Sequence, residues 1–170
     1  MKSLIICQRL KLGALLFGLL CTIFAAFTVL AAGETPEEAL AWCESLAIEA
    51  SEMAFKAQVA CDYPTAHQAF NLADDAAFLV AKVSRLAQDT ANPQLAFSTY
   101  KVSNQVEAAI ANVVRAAKHI ASHNTNSDNV HAANFLLDYC ELAQKSNKVT
   151  METALMAFSD ISERPEAYSK

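Results

Sequence analysis

A chain of 170 residues with 13 basic and 18 acidic side chains carries a net charge of −5, and three of its basic residues, Lys2, Arg9 and Lys11, precede every carboxylate. Without those three the remainder stands at −8 and has no Lys/Arg cluster to meet phosphates, which argues against nucleic acid or an anionic membrane surface as a partner of the body. No glycine follows Gly33, only four prolines occur and alanine is abundant, so helices are favoured, sheets lack turn residues, and the expected class is all-α.

The first element is a leader. Lys2, Arg9 and Lys11 precede an uncharged, largely apolar run from Leu12 to Ala32. A short basic region, an apolar core and small residues at the exit are the parts of a secretory signal, and Val29-Leu30-Ala31 supplies the side chains of a cleavage site. Cleavage is expected after Ala31 or Ala32. Residues 1–32 then form a signal peptide, and 33–170 one helical-bundle domain whose length suits a single core. The run exceeds the roughly 7–15 residues of an ordinary signal core and reaches the roughly 20 needed to span hydrocarbon. An uncleaved anchor, touching membrane only through residues 12–32, is therefore the second reading. Either way the body is expected outside the cytosol, periplasmic or secreted in the first case and membrane-anchored in the second. Cys21 is a poor lipid-attachment site, because Leu19 and Leu20 precede it where that processing wants small side chains.

Four punctuation points divide the body: Thr35-Pro36, Tyr63-Pro64-Thr65, Asn92-Pro93 and the polar run Asn124 to Asn129. Proline at a first helical position after a polar residue is a start signal. The first stretch lays Ala39, Cys43, Leu46, Ala50, Met53, Ala57 and Ala60 along one seam at alternating spacings of four and three. The second does so with Ala69, Leu72, Ala76, Leu79, Val83 and Leu86, and the third with Val102, Val106, Ala109, Val113, Ala116 and Ile120. A fourth seam reads Val130, Ala133, Leu137 and Cys140. Short connections favour antiparallel neighbours, so the expected architecture is an up-down-up-down four-helix bundle. Met151, Leu155, Phe158 and Ile161 mark an expected short fifth helix at the C-terminus. Tetratricopeptide-like arrays have a similar unit length, but each unit there holds two short helices, whereas each unit here reads as one long helix.

This topology makes the first and fourth helices neighbours. Cys43 and Cys140 then lie on seams about 10 Å from the same end of the bundle, and in an oxidising compartment they are expected to form a disulfide. The alternative is two buried thiols acting as small hydrophobes. The same topology gathers His67, His119, His123 and His131 at one end, with Cys61, Asp62 and Asp128 near them. His119 and His123 are i,i+4 on one helical face, a spacing that lets two imidazoles reach one Cu(II), Ni(II) or Zn(II) ion. Polar residues also collect at helix ends for structural reasons, and a histidine at a helix C-terminus stabilises it without a metal.

Catalytic constellations are missing from the sequence. It has no CxxCH, HExxH or GxSxG, no phosphate-binding glycine loop and no EF-hand spacing. Glu37-Glu38 and Asp74-Asp75 are adjacent residues that point in different directions on a helix, and the paired Glu-x-x-His elements of a di-iron bundle are not present. A non-enzymatic role is expected, with a protein partner or self-association through helix packing, and metal binding as the alternative. Trp42, Phe55, Phe70, Phe78, Phe97 and Phe135 read most simply as core or inter-helix packing. Phe78 and Phe97 fall off the seams, as either an exposed apolar surface or residues covered by the fifth helix.

Overall fold

The computed structural model describes residues 35–163, which form four helices and no strand. The helices are α1 (Pro36–Ala60), α2 (Tyr63–Asp89), α3 (Pro93–His123) and α4 (Ser127–Glu163). The leader expected at 1–32 lies outside the described residues.

Each turn does two jobs in very few residues. Asp62 Oδ2 accepts from the Thr65 N–H at 3.1 Å and Asn92 Oδ1 from the Leu95 N–H at 3.0 Å. These bonds satisfy first-turn donors that no helical carbonyl can reach, and Pro64 and Pro93 sit where a donor is not needed. The preceding helices stop on Cys61 and Ala91, whose φ values are 53° and 50°. Cys61 and Asp62 donate to the Gln58 and Ala57 carbonyls, and Ala91 and Asn92 to those of Gln88 and Ala87. That is the Schellman arrangement, built here on residues with a Cβ rather than on glycine. The last turn is longer and relies on side chains: Asn126 Oδ1 accepts from the Asp128 N–H at 2.8 Å, and Asn124 Nδ2 donates to the Cys61 carbonyl at 2.8 Å. The α1–α2 and α3–α4 turns therefore share one end.

Helix α1 packs on α2 and α3, and α4 packs on α3 most extensively and on α2, while α2 and α3 also meet across the middle. α1 and α4 make no comparable contact. They stand at opposite corners, which corrects the expectation that the first and fourth helices are neighbours. The physical reason lies in α3. Its buried residues include the adjacent pairs Leu95-Ala96, Val102-Ser103, Ala109-Ile110 and Ala116-Ala117, a face wide enough to serve α1 on one side and α4 on the other.

The expected fifth helix is also corrected, because α4 runs unbroken from Ser127 to Glu163 and includes Met151–Ile161. Its buried set is Ala133, Leu136, Cys140, Ala143, Asn147, Thr150, Ala154, Ala157 and Ile161, a strict three-four alternation whose middle members are polar. Asn147, 1% exposed, donates to the Ser103 carbonyl at 2.9 Å and to Glu107 Oε2 at 3.1 Å. Gln144 donates to the other oxygen of Glu107 at 3.0 Å. The polar stretch that resembles a break is thus where α4 is fastened to α3. Neither Gly nor Pro occurs within α4, and the pair Glu141–Lys145 supports the helix on its outer face.

The core is built from small side chains. Among the described residues 34 apolar side chains are buried, of which 19 are alanine and none is aromatic, so helix axes can approach closely while little apolar area is buried per residue.

Two stability predictions follow from these contacts. Replacing Ala91 by glycine relieves the left-handed backbone of its Cβ and should raise unfolding stability by about 1 kcal/mol. Asn147→Ala removes both inter-helix bonds and should lower it by about 1–3 kcal/mol. Urea denaturation followed by circular dichroism reads both.

Candidate functional site

The cysteines of the expected bridge are unpaired in this structure. Cys43 and Cys140 are free and fully buried, one on α1 and one on α4, the two helices that do not pack together. Burial pushes the Cys43 thiol up to about 12 despite a backbone hydrogen bond that works the other way. It does the same to Cys140, with the Asp74 carboxylate adding to the effect. Both are protonated and inert at neutral pH, since the thiolate is the reactive form.

The histidines separate into smaller units. His119 and His123 stack with centroids 4.3 Å apart and rings inclined by 18°, and His123 Nδ1 lies 3.0 Å from the His119 carbonyl oxygen. His67 lies half-buried one turn from Tyr63, with ring centroids 5.9 Å apart, and His131 is exposed near the start of α4. Among the described residues no three His, Cys, Asp or Glu side chains gather where they could hold one metal ion. The one shared feature of the four is the end of the bundle they occupy.

Two open hollows of about 310 Å³ each lie between α1 and α3. One is lined by Ser51, Phe55, Gln58, Asn112 and Arg115, the other by residues that include Glu37, Glu44, Lys101 and Gln105. Across the second, Gln105 Nε2 donates to Glu44 Oε1 at 2.7 Å. Neither hollow sets a nucleophile beside a base or converges several buried polar groups on one point, as a small-molecule site does.

What the surface does carry is apolar bulk. Trp42, Ile48, Phe55 and Val59 are exposed on α1, and Phe135, Tyr139, Leu142, Val149, Leu155 and Met156 on α4. Phe78 is exposed beneath the Lys82 ammonium, so it belongs to the surface. Phe97 is partly covered by Phe158, 5.1 Å away, in the stretch of α4 expected as the fifth helix. Reading the aromatics as core packing is thus overturned for Phe55 and Phe135, which are 67% and 66% exposed. Leu142, Val149 and Met156 do not stand out in the sequence, although their seven-residue interval from Phe135 is visible there once a helix through the polar stretch is assumed. No protein-family model, curated protein or solved structure matches the chain.

Three partly desolvated ionisable groups of α2 give opposite pH dependences. Burial lowers His67 from its ordinary 6.5, so its contribution is fully present above that value and is lost as pH falls through the lowered folded value. Burial raises Asp74 from its ordinary 3.8, and raises Asp75 with a further push from Asp74. Their contribution is fully present below the ordinary value and is lost as pH rises through the folded one. Asp74→Asn should therefore raise the thermal midpoint at pH 7, with the gain fading as pH falls toward about 4 and gone below it, whereas His67→Gln should flatten the loss of stability on acidification from about pH 7 to 5. In alkylation mapped by mass spectrometry under non-reducing conditions, Cys43 and Cys140 should be modified only after unfolding. A Cys43–Cys140 cross-linked peptide would contradict the structure.

Proposed function

We propose that this chain is an exported, non-enzymatic helical protein that works by packing its outer helix faces against protein partners. The observation that carries the reading is the inverted distribution of side chains, alanine within and large apolar and aromatic residues without. Burying Phe55, Phe135, Leu142 or Met156 against another surface recovers far more apolar area than the bundle's own core takes from each alanine. Aromatic and methionine side chains are also those enriched in protein interfaces. The absence of catalytic motifs in the sequence and the negative charge of the body support a binding role toward protein rather than chemistry or nucleic acid.

In this reading residues 33–170 form an up-down-up-down bundle, delivered to the periplasm or the exterior by residues 1–32. The alternation of direction is supported by the short turns and by the Asn124–Cys61 bond that joins two of them at one end. No helix among the described residues is long and apolar enough to cross a membrane, so the tethered alternative rests on residues 12–32 alone. It is favoured by the length of that run, and cleavage by the small residues at its exit. Metal binding ranks below both, since His119 and His123 supply two donors where a Zn, Cu or Ni site commonly takes three or more protein ligands.

N-terminal sequencing of the protein isolated from cells should begin at Ala32 or Gly33, and intact Met1 found only in membranes would establish the tether instead. For the binding role, Phe55→Ser and Phe135→Ser should leave unfolding stability within about 0.5 kcal/mol yet shrink the native complex seen by native electrophoresis of cell extracts. A wild-type chain that runs there as a bare monomer would sink the reading.

A further inference from the structure

Helix α4 carries two heptad seams. The inner one, from Ala133 through Asn147 to Ile161, is buried in the bundle. One residue earlier at each step, and so about 100° around the helix, lie Phe135, Tyr139, Leu142, Val149 and Met156, between 58% and 66% exposed. Ser146 and Thr153 complete the four-three spacing of this outer seam, which extends about 32 Å at 1.5 Å per residue. Such spacing keeps one face turned toward a second helix along its whole length. Phe70 of α2 reaches the outer seam only near its start, 6.3 Å from Tyr139.

Resting on the reading above that this face binds helices, the geometry points to a second copy of this chain as the occupant, its α4 lying antiparallel on the first about a two-fold axis near residues 147 and 148. Charge selects this partner and this direction. Along one edge of the outer seam Asp138, Lys145 and Glu152 alternate in sign at seven-residue intervals. The other edge is the inner seam, already buried. Only antiparallel pairing brings the charged edge of one copy beside the same edge of the other, and the stated axis sets Lys145 against Glu152 of the second copy twice by symmetry. A parallel pair would set each charged edge against the buried inner seam and leave it unpaired.

The same axis matches the side chains in size. Val149 meets Ser146, Leu142 meets Thr153, and Met156 meets Tyr139, a sulfur against a ring. The five large residues offer on the order of 500 Å², and their flanks carry the contact toward the roughly 800 Å² per partner of a stable interface. Lys145 and Glu152 are free to turn to the second copy, because their present partners Glu141 and Lys148 are i,i+4 neighbours on an exposed face and such pairs are weak.

Sedimentation equilibrium of the full chain tests the pairing. The wild type should show twice the chain mass at micromolar concentration. Val149→Glu should weaken association about tenfold or more with unchanged helical circular dichroism, since that side chain is 62% exposed in the single bundle. Lys145→Glu and Glu152→Lys should each weaken self-association roughly threefold to tenfold, and the two variants mixed should pair with one another, because every repulsive contact then becomes attractive. A wild type that stays monomeric at about 100 µM, or a Val149→Glu chain that dimerises as tightly as wild type, overturns the proposal. Charge variants that fail to pair on mixing overturn the antiparallel register. A wild-type monomer in sedimentation whose larger complex in cell extract is lost in Val149→Glu overturns self-pairing and leaves the helix-binding reading standing. No complex in either setting overturns both.

Discussion

Alanine at the helix contacts is the constraint on which the rest of this structure depends. Small side chains at positions such as Ala50, Ala57, Ala69, Ala76, Ala109 and Ala116, all fully buried, let four helices close on one another with little between them. Close approach permits α2 and α3 to meet across the middle, which sends α1 and α4 to opposite corners. An alanine core has a thermodynamic consequence too. Its dispersion contacts are dense, but each residue removes little apolar area from water, so the larger leucine, isoleucine and valine side chains, most of them on α2 and α3, bury the most area per residue. The aromatic residues have no room inside, and the chain's apolar surplus is displaced to its surface.

A core of near-identical small residues also gives weak information about register, and polar groups supply what is missing. Asn147 binds the Ser103 carbonyl and Glu107, and Gln105 binds Glu44. These side chains recognise particular partners, whereas an alanine seam slid by one heptad would pack almost as well. The turns act in the same sense. Cys61 and Ala91 each end a helix in a left-handed conformation, and the next residue, Asp62 or Asn92, opens the following helix. Connections this tight leave consecutive helices little freedom to slide.

The sequence made much of this legible, residue by residue. Every member of the third seam, from Val102 to Ile120, is buried as its spacing implies, and most of the first and second seams are too. Legibility fails where polar residues occupy seam positions. Because Asn147 and Thr150 are buried in α4, the pattern looks interrupted, one helix reads as two, and the seam is traced through Leu137 instead of Leu136. A hydrophobic pattern cannot reveal that a buried side-chain amide donates to a carbonyl 44 residues away. The candidate surface was less legible still. Leu142, Val149 and Met156 look like core until the helix is known to be continuous and its inner face to be occupied by their immediate successors.

By itself, then, the sequence determined the class, the number of long helical segments up to the polar stretch of α4, and where each begins. All of these follow from local chemistry: proline and Asx caps, absent glycine and a four-three period. Tertiary structure alone decided which helices touch. The order of neighbours around the bundle depends on how many faces of α3 can be buried at once, and no short-range signal encodes that. It separates Cys43 from Cys140, divides the histidines into a stacked pair and two further rings, and turns one face of α4 to solvent. The physical reason is the same throughout: spacing along a helix is a property of the chain, but what lies opposite a side chain belongs to the packing of other helices.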